Sequence, residues 1–210
     1  MKKMLEKSCY EFLDQLASAA PVPGGGGASA LGGALGLALG SMVGNLTLGK
    51  KKYANVQEDI KRLLVALDRS MHEMEALVQR DADVFEPLSK AYGMPMETEE
   101  QKAEKARVLE EALKMACSVP LEIMEKGVSA LTQMEELSKK GTKLALSDVG
   151  VGVQFLRAAV LGASMNVYTN TRLMKDKADA AWCDQKADML KNKAVELADR
   201  IFEEVEVMLR

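Results

Sequence analysis

Two aspartates are the acidic residues of this sequence whose surroundings best suit chemistry. Asp81 lies one helical turn before Phe85, so if the ring faces the core, the carboxyl group lies at the margin of that core. The pKa of an acid in such a position is tuned by burial. Asp148 follows Ser147, and this pair offers an N-cap to the apolar stretch 149–167. Asp81, Ser147 and Asp148 are therefore candidate site residues.

Two amides lie in the same apolar stretch or just after it. Asn166 and Asn170 are four residues apart, which places them on one face of a helix that is otherwise built from small and apolar residues. Buried amides need hydrogen-bond partners, and a bound ligand is one such partner. We take both as candidate binding residues.

A turn of four glycines at 24–27 is the third candidate part of a site. Glycine permits positive φ angles and leaves the backbone N–H groups uncovered. If a helix begins at this turn, its unpaired N–H groups and the positive end of its dipole make a site for an anion or a carbonyl group. Periodicity alone does not show whether the three parts converge.

The stretch 24–48 that follows the turn contains no charged residue and is long enough to cross a bilayer. It is rich in glycine, carries scattered Ser, Asn and Thr, and lacks the aromatic belt of a membrane span. The apolar run also begins too far from the start for a signal peptide. We predict a buried helix and no membrane interaction. One stripe of glycines predicts a close helix or subunit contact: Gly32, Gly36, Gly40 and Gly44.

Composition predicts an all-α protein with a single domain over 1–210, a multi-helix bundle without a sheet. The chain has 210 residues, a net charge of −3 and 48% hydrophobic residues, with few aromatic or β-branched runs. A near-neutral chain without a basic face gives no sign of nucleic-acid binding. Cys9, Cys117 and Cys183 have neither metal-ligand nor disulfide spacing. We expect no metal and a cytoplasmic location.

Capping signals and periodicity divide the chain into helices. Ser8 with Glu11 and Thr98 with Gln101 are capping-box patterns. The predicted helices cover 8–20, 24–48, 54–90, 98–118, 120–140, 148–167 and 176–208. Pro120 either kinks one long helix or starts the next one.

The remaining polar groups have a structural as well as a functional interpretation. Lys50, Lys51 and Lys52 precede Tyr53 just past the apolar helix, where positive charge suits the C-terminal end of the dipole. His72, the one histidine, has no second ligand at helical spacing, and we interpret it as structural.

Together the motifs resemble the cyclodeaminase/cyclohydrolase family, over about residues 11–171. The residues that carry the resemblance appear in family order: FLDQLAS, PVPGGGGASALGGALGLALGSMVGNLTLGKKKY, MPMETEE, SVPL, LSDVGVG and MNVYTN. The resemblance implies an all-α fold, a homodimer or an assembly of dimers, and a tetrahydrofolate derivative as substrate with no tightly bound cofactor. A formiminotransferase is a further partner that the family allows.

The family's site residues carry over position by position. The glycine turn falls on Pro23, Gly24, Gly25 and Gly26, and the cationic segment falls on Lys50, Lys51 and Tyr53. The helical acid is Asp81, the Ser-Asp pair is Ser147 with Asp148, and the two amides are Asn166 and Asn170. The sequence departs from the family pattern at four positions: Gly27 for Ser, Gln79 for an acid, Met96 for Lys and Thr142 for Asn.

The resemblance implies one of two metal-independent reactions. A methenyltetrahydrofolate cyclohydrolase adds water to the carbon bridging N5 and N10, and we expect this reaction ahead of the other. A formiminotetrahydrofolate cyclodeaminase closes the same ring and releases ammonia. Both need a base, an acid and a carboxylate that stabilises positive charge, roles we assign to Asp148 and Asp81. A catalytically silent folate-binding or assembly protein is the alternative from another class, suggested by the departures at Gln79 and Thr142.

Overall fold

The computed structural model describes residues 4–210, which contain six α-helices, three short 3-10 turns and no strand. The α-helices are α1 (Cys9–Leu16), α2 (Gly25–Thr47), α3 (Gln57–Tyr92), α4 (Glu99–Lys140), α5 (Leu146–Leu173) and α6 (Lys177–Leu209). The 3-10 turns are Met4–Glu6, Lys51–Val56 and Lys143–Ala145. The all-α prediction is confirmed. The helix α2 packs along α5 and α3, and α4 packs on α3, α5 and α6.

The predicted capping boxes are both present. The Ser8 hydroxyl accepts from the Glu11 N–H at 3.2 Å, and Glu11 accepts from the Ser8 N–H at 2.7 Å. Thr98 and Gln101 repeat the arrangement at the start of α4. These reciprocal bonds satisfy N–H groups that a helix start leaves without partners. The first helix ends at Leu16 rather than near residue 20, and α3 begins only after the 3-10 turn Lys51–Val56.

The helix α4 is continuous through Pro120, so of the two alternatives for this residue, the start of a new helix is wrong. A proline inside a helix removes the N–H that would bond to the carbonyl four residues earlier, here Ala116. The Asn170 side chain from α5 fills that gap, because its Nδ2 donates to the Ala116 carbonyl oxygen at 3.2 Å. A tertiary contact therefore offsets the hydrogen bond that the helix itself cannot make.

The helix α5 begins at Leu146, so the predicted N-cap at Ser147 and Asp148 is also wrong. The 3-10 turn Lys143–Ala145 runs directly into the helix and makes Ala145 the capping residue. Ser147 and Asp148 already belong to the first turn, where the carboxylate of Asp148 suits the positive end of the helix dipole.

Glycines of α2 let this helix approach its neighbours closely, as the stripe predicts. A methyl group on Gly36 would lie 2.6 Å from the Gly152 carbonyl oxygen of α5, and one on Gly152 would lie 2.8 Å from the Gly36 oxygen. The contact is thus backbone against backbone. Gly44 faces the side chain of Leu64 of α3, whereas Gly32 has open space around it.

The outward sides of α2 and α5 form an apolar surface. Its exposed or half-exposed members are Leu31, Leu35, Met42 and Leu46 from α2, and Val151, Phe155 and Met165 from α5. By length and composition, Gly25–Thr47 and Lys143–Leu173 each qualify as membrane spans, although half of the most apolar window of each is buried within the protein. We call this surface the α2/α5 face.

The Gly36–Gly152 contact predicts a sharp difference between two glycines of one helix. Gly36→Ala forces a methyl group against backbone that cannot rotate away, and we expect a loss of about 1–3 kcal/mol in the free energy of unfolding. Gly32→Ala is the matched control, since its methyl group meets nothing within 4 Å and alanine favours the helix by about 1 kcal/mol. Urea unfolding of both variants measures the difference. Equal stability of the two would show that the helices are not in close contact.

Candidate functional site

A small, largely enclosed pocket lies where the start of α2 meets α3, α4 and the last turns of α5. Its volume is about 230 Å³. The lining residues are Pro21, Val22, Gly24, Gly25, Asp81, Val84, Phe85, Ala116, Pro120, Asn166, Thr169 and Asn170. The structure therefore brings the glycine turn, the α3 carboxyl group and both amides together, which periodicity alone did not show.

Asp81 closes the inner end of this pocket. Its Oδ2 accepts a hydrogen bond at 2.8 Å from the Gly27 N–H, in the first turn of α2. Burial raises the pKa of Asp81, and the Gly27 bond opposes that rise only in part. No ion pair to Asp81 is found among residues 4–210. Asp81 thus holds its proton to a higher pH than an exposed aspartate does.

The glycine turn is required by the position of this carboxyl group. A methyl group on Gly26 would overlap the Asp81 carboxylate, so a larger residue at that position would displace the carboxylate. The anion that the sequence predicts at the start of α2 is therefore supplied by the chain itself. Gly24 and Gly25 remain uncovered and face the pocket. Pro23 is buried behind the turn, follows a cis peptide bond, and lies beside the Val22 carbonyl that accepts from Gln15 Nε2 at 2.7 Å.

Each of the two amides uses one N–H group in a hydrogen bond to a backbone carbonyl. Asn166 Nδ2 donates to the Gly162 carbonyl at 3.1 Å, and Asn170 Nδ2 donates to the Ala116 carbonyl that Pro120 leaves free. The carbonyl oxygen of each side chain is left as an acceptor. Two acceptors on adjacent turns suit a ligand edge that carries N–H donors.

The other predicted residues lie at the opposite end of the bundle. Asp148 precedes Asn166 by 18 residues of α5, which is about 27 Å along the helix. Ser147 is exposed and Asp148 half-exposed. Lys50 and Tyr53 follow the far end of α2, about 33 Å from its start. Within one chain, the structure therefore does not bring this second set of predicted residues to the pocket.

Two connections are joined at that far end. The Lys50 Nζ donates to Thr142 Oγ1 at 3.3 Å, and the Lys143 N–H donates to Tyr53 Oη at 3.0 Å. The Thr142 N–H donates to the buried Thr47 hydroxyl at 2.8 Å. Lys51 is exposed beside them. We call the group Lys50, Tyr53, Thr142 and Asp148 the distal cluster.

Other reactive side chains lie outside the pocket lining. His72 is exposed and pairs with Glu75 at 2.8 Å and Asp68 at 3.6 Å, as its structural interpretation requires. Burial raises the pKa of the Cys117 thiol to about 12, so this cysteine is protonated and a poor nucleophile. Within residues 4–210 no group of three His, Cys, Asp or Glu side chains is arranged to hold a metal ion.

Sequence reasoning missed the apolar walls of the pocket and the role of Pro120. A proline in mid-helix signals a carbonyl that needs a partner, and the polar residue that supplies it is then a candidate for the same site. For Val84 and Phe85 the indication of a place in the site is weaker than for Pro120, and consists only of their position after Asp81 on α3. Thr142 was noted only as a departure from a pattern, whereas the structure shows it joining two connections.

Comparison with known proteins gives consistent matches. Residues 8–189 match the family model described as formiminotransferase-cyclodeaminase. A methenyltetrahydrofolate cyclohydrolase of Methylorubrum extorquens is 40% identical over 194 residues, covering 92% of this chain and 93% of that protein. A formimidoyltransferase-cyclodeaminase of Sus scrofa is 31% identical over 98% of this chain, which spans 38% of that longer relative.

A solved structure matches the whole fold. The crystal structure of a formiminotetrahydrofolate cyclodeaminase from Thermotoga maritima superposes with a TM-score of 0.87 at 25% sequence identity. The match covers 99% of this chain and 100% of the other. The helices described above are therefore a shared architecture.

The bond between Asn170 and the Ala116 carbonyl predicts a coupling with Pro120. Asn170→Leu leaves a buried carbonyl unpaired, and we expect a loss of about 1–3 kcal/mol in the free energy of unfolding. In a Pro120→Ala background the helix supplies the missing N–H itself, so the same substitution should cost less. A double-mutant cycle measured by urea unfolding gives the coupling energy. Equal costs in both backgrounds would contradict the compensating role.

The raised pKa of Asp81 predicts a pH-dependent effect of Asp81→Asn on stability. Because the folded pKa exceeds the unfolded value, the folded state binds more protons, and stability falls as pH rises from about 4 through the folded pKa. The variant carries a neutral carboxamide that does not titrate, so this decline is absent from it. Relative to the unsubstituted protein, Asp81→Asn should therefore gain stability between pH 4 and pH 8, measured as the difference in Tm. A difference that stays constant with pH would contradict the raised pKa.

Proposed function

The chain belongs to the formiminotransferase-cyclodeaminase family, and on that premise we propose that it is a methenyltetrahydrofolate cyclohydrolase. The observation that carries the proposal is the pocket, which a carboxyl group of raised pKa lines together with the side chains of Asn166 and Asn170. The similarity to a methenyltetrahydrofolate cyclohydrolase over nearly the full length of both chains supports this reaction. Water would add to the carbon that bridges N5 and N10, and the adduct would open to 10-formyltetrahydrofolate.

The pocket suits one ring system of the substrate better than a whole folate. Sites for drug-sized ligands measure about 300–1,000 Å³, whereas this one measures about 230 Å³. We assign it to the pterin, whose N–H donors face the side-chain oxygens of Asn166 and Asn170. Gly24 and Gly25 offer a bare backbone against which a flat ring lies closely. The rest of the substrate then extends toward the surface.

Asp81 is the carboxyl group that responds to the positive charge of the substrate. The amidinium of methenyltetrahydrofolate is a cation, and an adjacent positive charge lowers the pKa of a carboxyl group. Binding of the cation would thus favour the ionised form of Asp81, and the carboxylate would stabilise the cation. We assign this role to Asp81 and the role of general base to Asp148.

A homodimer would join the pocket to the distal cluster. A two-fold axis across the α2/α5 face, with the helices of the two subunits antiparallel, would bring the start of α2 near the partner subunit's Asp148. The exposed apolar side chains of that face, Leu35, Met42 and Phe155 among them, are typical of an interface between protein chains. Leu144, 88% exposed beside the distal cluster, would be covered in the same assembly.

The remaining roles follow from charge and position. Lys50 and Lys51, with Tyr53, would bind the carboxylates of the glutamate tail, and Ser147 would hydrogen-bond the substrate beside Asp148. We propose that the reaction needs neither a metal nor a tightly bound cofactor, and that the protein acts in the cytoplasm. A formiminotransferase that supplies the one-carbon unit is a proposed partner.

The second candidate function is the cyclodeaminase reaction. The structural match to a formiminotetrahydrofolate cyclodeaminase over the full length of both chains favours it. A silent binding protein is less well supported. Gln79 accepts from the Met4 N–H at 3.0 Å and donates to Asp83 at 2.8 Å. The glutamine that stands in place of the family's acid therefore stabilises local structure outside the pocket.

Turnover assays separate these functions. The purified protein is given methenyltetrahydrofolate and formiminotetrahydrofolate separately, and folate absorbance and ammonia release are followed. Hydrolysis of the methenyl compound without ammonia release from the formimino compound is expected. Ammonia release would favour the cyclodeaminase, and bound folate without turnover would favour the silent protein. Analytical ultracentrifugation of the same sample tests whether the protein is a dimer. If the α2/α5 face binds a membrane instead, the protein should float with lipid vesicles.

Mixing two inactive variants tests whether the site is shared between subunits. Asp81→Asn and Asp148→Asn should each lower kcat by about a hundredfold or more, since each removes a group needed in the reaction. After unfolding and refolding together, about half of the dimers contain one chain of each kind, and one of their two sites is intact. We therefore expect about a quarter of the unsubstituted activity. Activity no higher than that of the separate variants would contradict a site built from two subunits.

A further inference from the structure

One wall of the pocket is not built from helix. Most of the lining residues lie on α2, α3, α4 or α5 or cap one of them, whereas Pro21 and Val22 come from the connection between α1 and α2. We call residues 17–23 of this connection the strap. Residues 17–21 are exposed, Val22 is half-buried and Pro23 is buried. The strap therefore crosses from solvent into the protein at the edge of the pocket.

A single hydrogen bond joins the middle of the strap to the rest of the chain. Gln15 Nε2, at the end of α1, donates to the Val22 carbonyl oxygen at 2.7 Å. The N–H groups of Ala17 and Ser18 bond to carbonyls of α1 and only continue its last turn. In the part of the chain that the structure describes, no other hydrogen bond joins residues 19–23 to a residue outside the strap.

The two prolines of the strap limit what else could hold it. Proline has no N–H group, so neither Pro21 nor Pro23 can donate a hydrogen bond to a neighbouring element. The ring of each also fixes φ, which makes the segment stiff. A stiff segment moves as a unit when its attachment is lost. Release of the Val22 carbonyl would therefore shift the part of the strap that lines the pocket.

The Gln15 amide is held in one orientation. Lys7 Nζ donates to Gln15 Oε1. An ammonium group has donors only, so the atom it contacts is the amide oxygen, and the amide nitrogen is left for the Val22 carbonyl. The helix α1 that carries Gln15 is itself capped at Ser8 and anchored by the buried Phe12. Gln15 thus offers its donor from a fixed position.

We propose that Gln15 is a positioning residue for the folate ring, because it holds the strap so that Pro21 and Val22 close the pocket against the ring. This rests on the proposed function, which places the pterin in this pocket. Gln15 is not among the residues that line the pocket, so it acts through the strap rather than on the substrate. A gap of about 0.5–1 Å along one wall forfeits roughly a quarter to a half of the contact energy there. Binding, rather than the chemical step, depends on Gln15.

Backbone order parameters measured by ¹⁵N relaxation test the strap without any activity. Gln15→Met keeps the length of the side chain and removes its donor. We expect the order parameter of the Val22 N–H group to fall from about 0.85, typical of a rigid backbone, to below about 0.6. Gln15→Arg retains N–H donors for the Val22 carbonyl and should restore the rigid value.

Steady-state kinetics test the positioning of the substrate. Gln15→Met should raise KM for methenyltetrahydrofolate by about threefold to tenfold, the factor that one neutral hydrogen bond supplies, and change kcat by less than about twofold. Gln15→Arg should restore KM. A loss of folded protein alone would lower the apparent kcat and leave KM unchanged, so the split between the two constants separates positioning from stability.

Gln133→Met is the matched control. The Gln133 side chain also bridges two elements, since its Nε2 donates to the Ser70 hydroxyl at 3.0 Å, but it lies about 20 Å along α4 from Pro120 and the pocket. This variant should leave the Val22 order parameter, KM and kcat unchanged. Circular dichroism and the Tm identify any variant that fails to fold. Lys7→Met, which removes the group that orients the amide, is the second route and should raise KM by a smaller factor.

Each contrary outcome is distinct. An unchanged Val22 order parameter in Gln15→Met would show that Gln15 does not hold the strap. A lower order parameter with unchanged KM, or a lower kcat with unchanged KM, would overturn the positioning role. If the unsubstituted protein turns over neither folate, the proposed function fails and the positioning role fails with it, while the order parameter still decides whether Gln15 holds the strap.

Discussion

The close approach of α2 to α3 and α5 is the constraint on which the rest of the structure depends. Backbone touches backbone at Gly36 and Gly152, and a side chain at either position would push the helices apart. The same close approach brings Asp81 of α3 to the Gly27 N–H in the first turn of α2. A carboxyl group that is both buried and capped by a helix start exists only because the two helices lie so near.

Pro120 illustrates how the fold and the pocket share one solution. The proline removes a helical hydrogen bond from α4, and Asn170 of α5 replaces it. That hydrogen bond holds the Asn170 side chain in place, and Asn170 lines the pocket. An alanine at position 120 would make a more regular helix, but the amide would then lose its anchor. A local irregularity in one helix therefore orients a candidate binding group on another.

Much of the fold follows from local signals, and the failures have physical causes. Ser8 and Thr98 cap their helices as predicted, because a capping box depends only on residues within one turn. Pro120 lies inside a helix rather than at its start, and local signals do not show this because Asn170, which bonds to the freed Ala116 carbonyl, lies 54 residues from Ala116 in the sequence. The Ser147 N-cap fails since a 3-10 turn precedes it. The distance between Asp148 and Asn166 could be predicted from the sequence. Once both residues are placed on one helix, the roughly 18 residues that separate them make about five turns.

The distribution of charge argues that the two ends of the bundle act together. The outward sides of α3, α4 and α6 carry ion pairs, for example between Arg107 and Glu111 of α4. Asp199 of α6 pairs with Arg157 of α5. The α2/α5 face, by contrast, is broad and apolar, although the chain has many charged residues. Those two helices also bear the glycine turn and the amides at one end, with Lys50 and Asp148 at the other. Under the proposed two-fold arrangement, covering that surface would also complete the site. Folding energy and catalytic competence would then depend on the same contact, so a subunit that fails to pair would bind poorly as well as react slowly.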